Sequence, residues 1–377
     1  MSITMIGNGV RNREVSLAEY QNLLDLLDGK ANRLVRLNPE ASTSFIADTD
    51  LYRDAWVVQN SIVDRYVPAD MLSVEMAVDI RQDSYRAVPL LSVGGELYSF
   101  TTTSFGQLCE KSGMGVTSYM KKCITNRLPH LVPQNLNAWL KAQGSKELLV
   151  RFYKNEVIAF LSNKYGVFDH GDALDCLINA LGKNSTYKIE AHALDVDNMS
   201  VRLVDMEKIM IQDASGGRDK STAGLVFRNG QTGRSLASIE FMIYTFACTN
   251  GLVVAQDRGI VYKRRHISIN KEEFTEQITA TLEQFPAYVE MARKDMEQAR
   301  QVRISVEMRE NLRKQIQKGL SVGEDTVNEI FEVMDTQWDA NAWGIAGAIT
   351  EVAQKFSADR QYQFEKYAGE LVKSLSA

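Results

Sequence analysis

Tyr262-Lys263-Arg264-Arg265-His266 is the densest run of chemically capable side chains in this sequence. Read as a β-strand, it sets Lys263 and Arg265 on one face and Tyr262, Arg264 and His266 on the other, because successive side chains alternate across a strand. Cations beside aromatic or imidazole rings suit single-stranded nucleic acid: phosphates need positive charge, and any base can stack on a ring. The same pattern also describes an edge strand kept soluble by charge. Upstream, Arg228 and Arg234 bracket a small polar turn. Between Ser215 and Ile269, eight basic residues stand against the three acids Asp219, Glu240 and Asp257, inside a chain whose net charge is −5. The expected nucleic-acid contacts are therefore Arg228, Arg234, Tyr262, Lys263, Arg264, Arg265 and His266. Whether the two basic edges meet on one surface depends on the fold.

Catalytic chemistry finds less support. The histidines His130, His170, His192 and His266 show no HExxH pattern and no paired metal spacing. Cys109, Cys123, Cys176 and Cys248 form no CxxC pair and read as small buried apolar residues. Asp169, Asp172, Asp195, Asp197, Asp205 and Asp213 flank expected strands, where two or three could hold Mg²⁺ for phosphodiester cleavage. Asp is equally the ordinary residue of turns and caps. The loop Ser215–Ser221 lacks the glycine spacing of a phosphate cradle. No catalytic residue, metal site or cofactor is expected, and enzyme activity is left open.

The elements that must position these residues follow from pattern. The chain has 377 residues, 45% hydrophobic and 24% charged, as in ordinary globular proteins. No apolar run approaches about eighteen residues and no apolar leader opens the chain, so a cytoplasmic protein without a membrane span is expected. Ser16-Leu-Ala-Glu19 is a capping-box pattern before a short helix, and the apolar positions from Asp50 to Tyr66 keep a helical period. Ala87 to Phe100 reads as a hairpin turning at Gly94-Gly95. Thr103 to Ile124 reads as a helix pair in which Cys109, Gly113 and Tyr119 have helix-turn-helix spacing, with Lys121, Lys122 and Arg127 on a solvated face. A hairpin at Lys154-Asn155, a helix over Asp172–Leu181 and strands over Tyr187–Ala193 and Val201–Asp205 follow. Asn229-Gly230 and Asn250-Gly251 are expected turns between apolar runs. From Phe285 to Ile316 a 3- or 4-residue apolar period, irregular near Arg303, predicts a long helical arm suited to self-assembly. Three more helices reach the C-terminus. The expected fold is α+β, with a central, mostly antiparallel sheet of strand-hairpin-helix units, an N-terminal helical segment and a long-helix C-terminal region. Its expected divisions are 1–90 (helical or irregular extension), 91–145 (helical hairpin), 146–270 (α+β core) and 271–377 (helical).

Three stretches carry a resemblance: Lys146 to Leu181; the run holding Asn229, Thr232, Gly233, Ser238 to Glu240 and the Cys248-Thr-Asn250-Gly251 motif; and WDANAWGIAGAITEVAQKF near the C-terminus. Together they resemble a family of phage- and plasmid-borne proteins described as a domain of unknown function, over about Leu97 to Leu371. Asn229, Gly233, Glu240, Cys248, Asn250 and Gly251 are its matched residues here, and they read as architectural. The resemblance implies a mobile-element origin in the host cytoplasm, a mixed α+β fold, and a setting among recombination, replication or anti-restriction functions. The leading expectation is a homo-oligomeric protein that binds single-stranded DNA and anneals it. A non-catalytic protein acting on a host factor is the alternative, and a metal-dependent nuclease the third reading.

Overall fold

A computed structural model describes residues 3–6, 13–14, 46–81, 84–112, 117–182, 186–211, 221–245, 250–253, 261–266 and 269–376. The capping-box helix expected from Ser16 lies outside the described residues. Strands β1 (Ile3–Ile6) and β2 (Arg13–Glu14) form an antiparallel pair. Thr49 caps helix α1 (Asp50–Asn60) by accepting from the Tyr52 amide, and Leu51, Ala55 and Val58 bury one face at helical spacing. The helical period expected to reach Tyr66 stops at Asn60. Ile62–Pro68 is strand β3 instead, because it pairs with a neighbouring strand along its whole length, from Ile62↔Tyr153 to Pro68↔Glu147. β4 (Ser73–Arg81), β5 (Ser84–Val93) and β6 (Glu96–Phe100) follow, the last two joined at Gly94 and Gly95 with φ of 59° and 86°. Positive φ at both positions is what a two-residue hairpin turn needs.

Three helices come next: α2 (Thr102–Lys111), α3 (Thr117–Thr125) and α4 (Leu131–Gln143). The glycine break between α2 and α3 lies outside the described residues. β7 (Glu147–Tyr153) and β8 (Glu156–Ser162) form the hairpin at Lys154-Asn155. Helix α5 (His170–Leu181) leads to β9 (Tyr187–Leu194), β10 (Asn198–Ile211), β11 (Ser221–Gly230), β12 (Ala237–Thr245), β13 (Asn250–Val253) and β14 (Val261–Arg264). The rest is helical: α6 (Lys271–Glu283), α7 (Phe285–Gln301), α8 (Val306–Leu320), α9 (Glu324–Gln337), α10 (Ala342–Ala353) and α11 (Ala358–Ser376).

The fold is α+β, but it holds two sheets where one was expected. The first runs β2-β1-β4-β5-β6-β8-β7-β3, antiparallel except for the parallel pair β6/β8. The second runs β13-β12-β11-β10-β9, with β14 pairing the opposite end of β12. The boundaries at 90/91 and 145/146 do not separate units, because β3, β4 and β5 are hydrogen-bonded into the same sheet as β7 and β8. One core packs the first sheet against α2, α3 and α4 through Leu108, Met120, Leu136, Val150 and Phe160. A larger core packs one face of the second sheet against α5 and the C-terminal helices through Val201, Leu225, Phe241, Phe285, Phe331 and Ile349.

Two further expectations change. Asn229 and Gly230 are the last residues of β11 and not a hairpin turn, and Asn250 and Gly251 begin β13. The arm from Phe285 to Ile316 is two helices, α7 and α8, interrupted where Ile304 N donates to Ala340 O and Ala342 N donates to Val302 O. Their apolar faces, Ala292, Met296, Leu312 and Ile316, are buried in the protein's own core, so they do not form a free assembly stripe.

Candidate nucleic-acid interface

The basic residues are distributed by strand register. Arg228 on β11 lies opposite Ser238 on β12, and Ser238 lies opposite Lys263 on β14. Arg228 and Lys263 therefore stand at the same register level on either side of β12. β12 starts at Ala237 opposite Arg264, where β14 ends. Arg234, three residues upstream, and Arg265, one downstream, therefore leave the same end of the sheet, and both are exposed. Both basic edges thus lie toward the end of the sheet where β12 begins.

The surroundings sort these residues. The Arg228 guanidinium sits 4.0 Å from the centre of the Tyr362 ring on α11, and Tyr362 donates its hydroxyl hydrogen bond to Glu240, which is 1% exposed. Arg202 pairs with Glu365 of the same helix at 2.7 Å. Helix α11 thus covers the face that carries Arg228. Arg264 pairs with Glu273 at 3.2 Å, with both side chains well exposed, so the pair is worth only about 0–1 kcal/mol and a phosphate can displace it. The rings are used internally. Tyr262 packs its ring 5.4 Å from that of Phe274, and buried His266 stacks on Tyr165 at 5.4 Å and meets Phe168 edge-on at 5.9 Å. Burial, with the nearby Arg151 charge, pushes the His266 imidazole down to about 4. His266 is neutral near pH 7, with Nδ1 and the Tyr165 hydroxyl 2.9 Å apart.

What holds this end of the sheet is a buried polar hub. Arg151 in β7 is 0% exposed and grips the Asp169 carboxylate with two bonds of 2.7 Å, donates to Asp64 at 2.8 Å, and donates to the Gln231 carbonyl at 2.7 Å. Burial disfavours the Arg151 charge, but Asp169 and Asp64 more than offset that and raise its pKa. Gln231 is satisfied on every side: its backbone N–H donates to Asp197 O, its Nε2 to Val196 O, and its Oε1 accepts from the His170 amide. Asn229 Nδ2 reaches Phe168 O and His170 Nδ1, each at 3.2 Å, while His170 Nε2 lies 3.2 Å from Asp195 O. Those partners assign a neutral Nε2–H tautomer to His170, whose pKa burial pushes down to about 3. Gln107 on α2 closes the set by donating to Thr232 O at 2.7 Å and accepting from Phe160 N at 3.0 Å.

The hub ties β3, β7, α2 and α5 to the loop between β11 and β12, so it clamps one sheet to the other. It also aims Arg234. Gly230 and Gly233 permit the close loop: a Cβ would stand 2.5 Å from Ser235 Cβ at the first and 2.5 Å from Leu161 Cδ2 at the second, where φ is 77°. Arg234 Nη2 then comes 3.2 Å from where a Cβ would stand on Gly106 of α2, with Thr117 Oγ1 3.8 Å from the same point.

Sequence reading missed Arg151, Asp64, Gln107 and Gln231, because each is an isolated polar residue in an unremarkable local pattern. Three of the aspartates weighed as metal ligands are engaged otherwise. Asp169 holds Arg151, Asp172 accepts from Lys271 at 2.6 Å, and Asp195 accepts the amides of Asp197 and Asn198, each at 2.7 Å. Among the described residues no group of three or more His, Cys, Asp or Glu side chains could hold a metal ion. Cys109, Cys123 and Cys176 are buried, while Cys248 and Asp213 lie outside the described residues. Among the described residues no helix is long and apolar enough to cross a membrane.

Compared with known families, residues 157–375 match the model described as Domain of unknown function (DUF932). No curated protein and no solved structure matches the chain.

Proposed function

The chain belongs to the DUF932 family, a domain of unknown function, and we propose that it is a mobile-element protein, of phage or plasmid origin, that binds single-stranded DNA at the basic end of its second sheet. The observation that carries this reading is that exposed Arg234 and Arg265 leave the same sheet end beside Arg264, where β12 and β14 pair. The contacts are phosphate contacts, since Tyr262 and His266 turn their rings into the protein. Neutralising phosphates releases condensed counterions, which makes such binding steeply salt-dependent. Annealing two strands calls for more than one copy, so the same reading expects a homo-oligomer. Mass photometry with and without single-stranded DNA reports assembly and binding together.

The test is fluorescence anisotropy of a labelled oligothymidylate against ionic strength. Each cation lost should reduce the slope of log K against log salt by about 0.7, so the Arg234→Ala/Arg264→Ala/Arg265→Ala variant should lose roughly 2. No salt-sensitive binding at low ionic strength overturns the reading. An unchanged slope in the triple variant moves the site elsewhere.

A further inference from the structure

The largest one-signed stretch of the chain is not the basic run at Lys263. Between Lys111 and Lys146 there are six cations, Lys111, Lys121, Lys122, Arg127, Lys141 and Lys146, and no Asp or Glu, within a protein of net charge −5. All but Lys111 are exposed. The same stretch leaves two large aromatic side chains in the open: Tyr119 on α3 is 40% exposed and Trp139 on α4 is 45% exposed. Packing does not require them there, because Met120, Cys123, Leu136 and Leu140 already supply the buried faces of these helices. The helices that carry the two rings pack against each other, since Met120 and Cys123 of α3 and Leu136 and Leu140 of α4 share one core. Lys122 follows Tyr119 at a spacing that puts both on one side of α3.

We propose that the α3–α4 surface is a second contact site for single-stranded DNA, with Tyr119 and Trp139 as base-stacking platforms and Lys121 and Lys122 on the phosphates. This assignment rests on the nucleic-acid reading above. The sheet end adjoins this region, because Arg234 reaches Gly106 of α2 near Thr117, the first residue of α3. Tyr119 is two residues further along a helix about 13 Å long. α3 and α4 carry no acidic side chain to repel a phosphate backbone. The occupant is single-stranded because bases in a duplex are already stacked and keep their faces from protein rings, whereas any unpaired base stacks.

The test compares oligothymidylate, oligouridylate and duplex DNA on the full-length protein. Tyr119→Ala and Trp139→Ala should each weaken oligothymidylate binding about 5- to 150-fold, the loss expected for one stacked base, while the salt slope stays unchanged. Lys121→Gln/Lys122→Gln should lower the slope by roughly 1.4. Trp139→Phe keeps a ring and should hold its affinity but lose the tryptophan quenching seen on adding DNA. Circular dichroism and melting should match wild type, since both rings lie on the surface. Wild-type binding that loses slope on removal of Arg234, Arg264 and Arg265 yet ignores Tyr119→Ala and Trp139→Ala overturns this surface and leaves the sheet-end site standing. Absence of wild-type binding overturns both. Equal or tighter duplex binding overturns the stacking role, and preference for oligouridylate reassigns the strand to RNA. Loss of self-association in the aromatic variants with DNA binding intact makes the surface an interface between copies and overturns the proposal.

Discussion

Replacing Arg151 by Met should separate the hub's two tasks, holding the sheets together and holding its own charges. The guanidinium is 0% exposed and makes four hydrogen bonds of 2.7–2.8 Å, two to Asp169, one to Asp64 and one to the Gln231 carbonyl. Methionine fills the volume but leaves Asp169, 4% exposed, as a buried carboxylate without a cation. Removing one partner of a buried pair typically costs about 3–5 kcal/mol. At about 2–4 °C per kcal/mol for a large chain, that is a melting shift of roughly 6–20 °C by calorimetry. The penalty should depend on pH. Asp64, 27% exposed, can be rehydrated, whereas Asp169, whose pKa burial already raises beside Arg151, rises further above its unfolded value of about 3.9 without that cation. A raised folded pKa means the penalty is absent below the unfolded pKa and develops as pH rises through the folded one. Arg151→Met should therefore approach wild-type stability near pH 4 and fall furthest behind at about pH 8. Adding Asp169→Asn should give back about 1–3 kcal/mol relative to the sum of the single losses. A penalty under about 1 kcal/mol that does not vary with pH would refute the clamp.

His170 and His266 are depressed by burial to about 3 and about 4, so their contribution to stability is present above the unfolded histidine pKa of about 6.5 and is lost as pH falls toward those folded values. Subtracting the melting curve of His266→Gln from that of wild type between pH 7 and about 4 should isolate one such contribution, and a flat difference would contradict its burial. Tyr362→Phe keeps the ring under Arg228 but removes the hydroxyl from Glu240, which should cost about 1.5–3 kcal/mol in urea unfolding. Gly344→Ala sets a Cβ 1.9 Å from the Asp339 carbonyl, a clash that should cost about 1–3 kcal/mol or more and displace Trp338 from α10, readable as a change in tryptophan emission.

Much of the architecture was legible because it is local. The hairpins at Gly94-Gly95 and Lys154-Asn155 and the C-terminal helices depend on residues within a few positions of one another, and those appear where pattern places them. The misreadings share one cause. The Asp50–Tyr66 period ran past Asn60 because only pairing with β7, about ninety residues away, makes Ile62–Pro68 a strand. The Asn229-Gly230 pair imitates a hairpin turn, yet its asparagine is drawn inward by His170 and its glycine is needed for the close pass of Ser235. The continuous period from Phe285 to Ile316 concealed a break made by backbone pairing with Ala340 and Ala342.

The candidate interface divides the same way. The sequence by itself determined that the chain is α+β and that positive charge gathers near residues 228–265, because charge and hydrophobic pattern are properties of residues and of near neighbours. Only the tertiary structure decided which cations face out. It turned Tyr262 and His266 inward onto Phe274, Phe168 and Tyr165, placed α11 over Arg228, and left Arg234 and Arg265 open at one sheet end. It also brought Arg151, Asp64, Asp169, Gln107 and Gln231 together from five separate segments into one hub. A buried charge is tolerable only where its partners converge, and convergence over such sequence distances is set by packing and register, which no local pattern records.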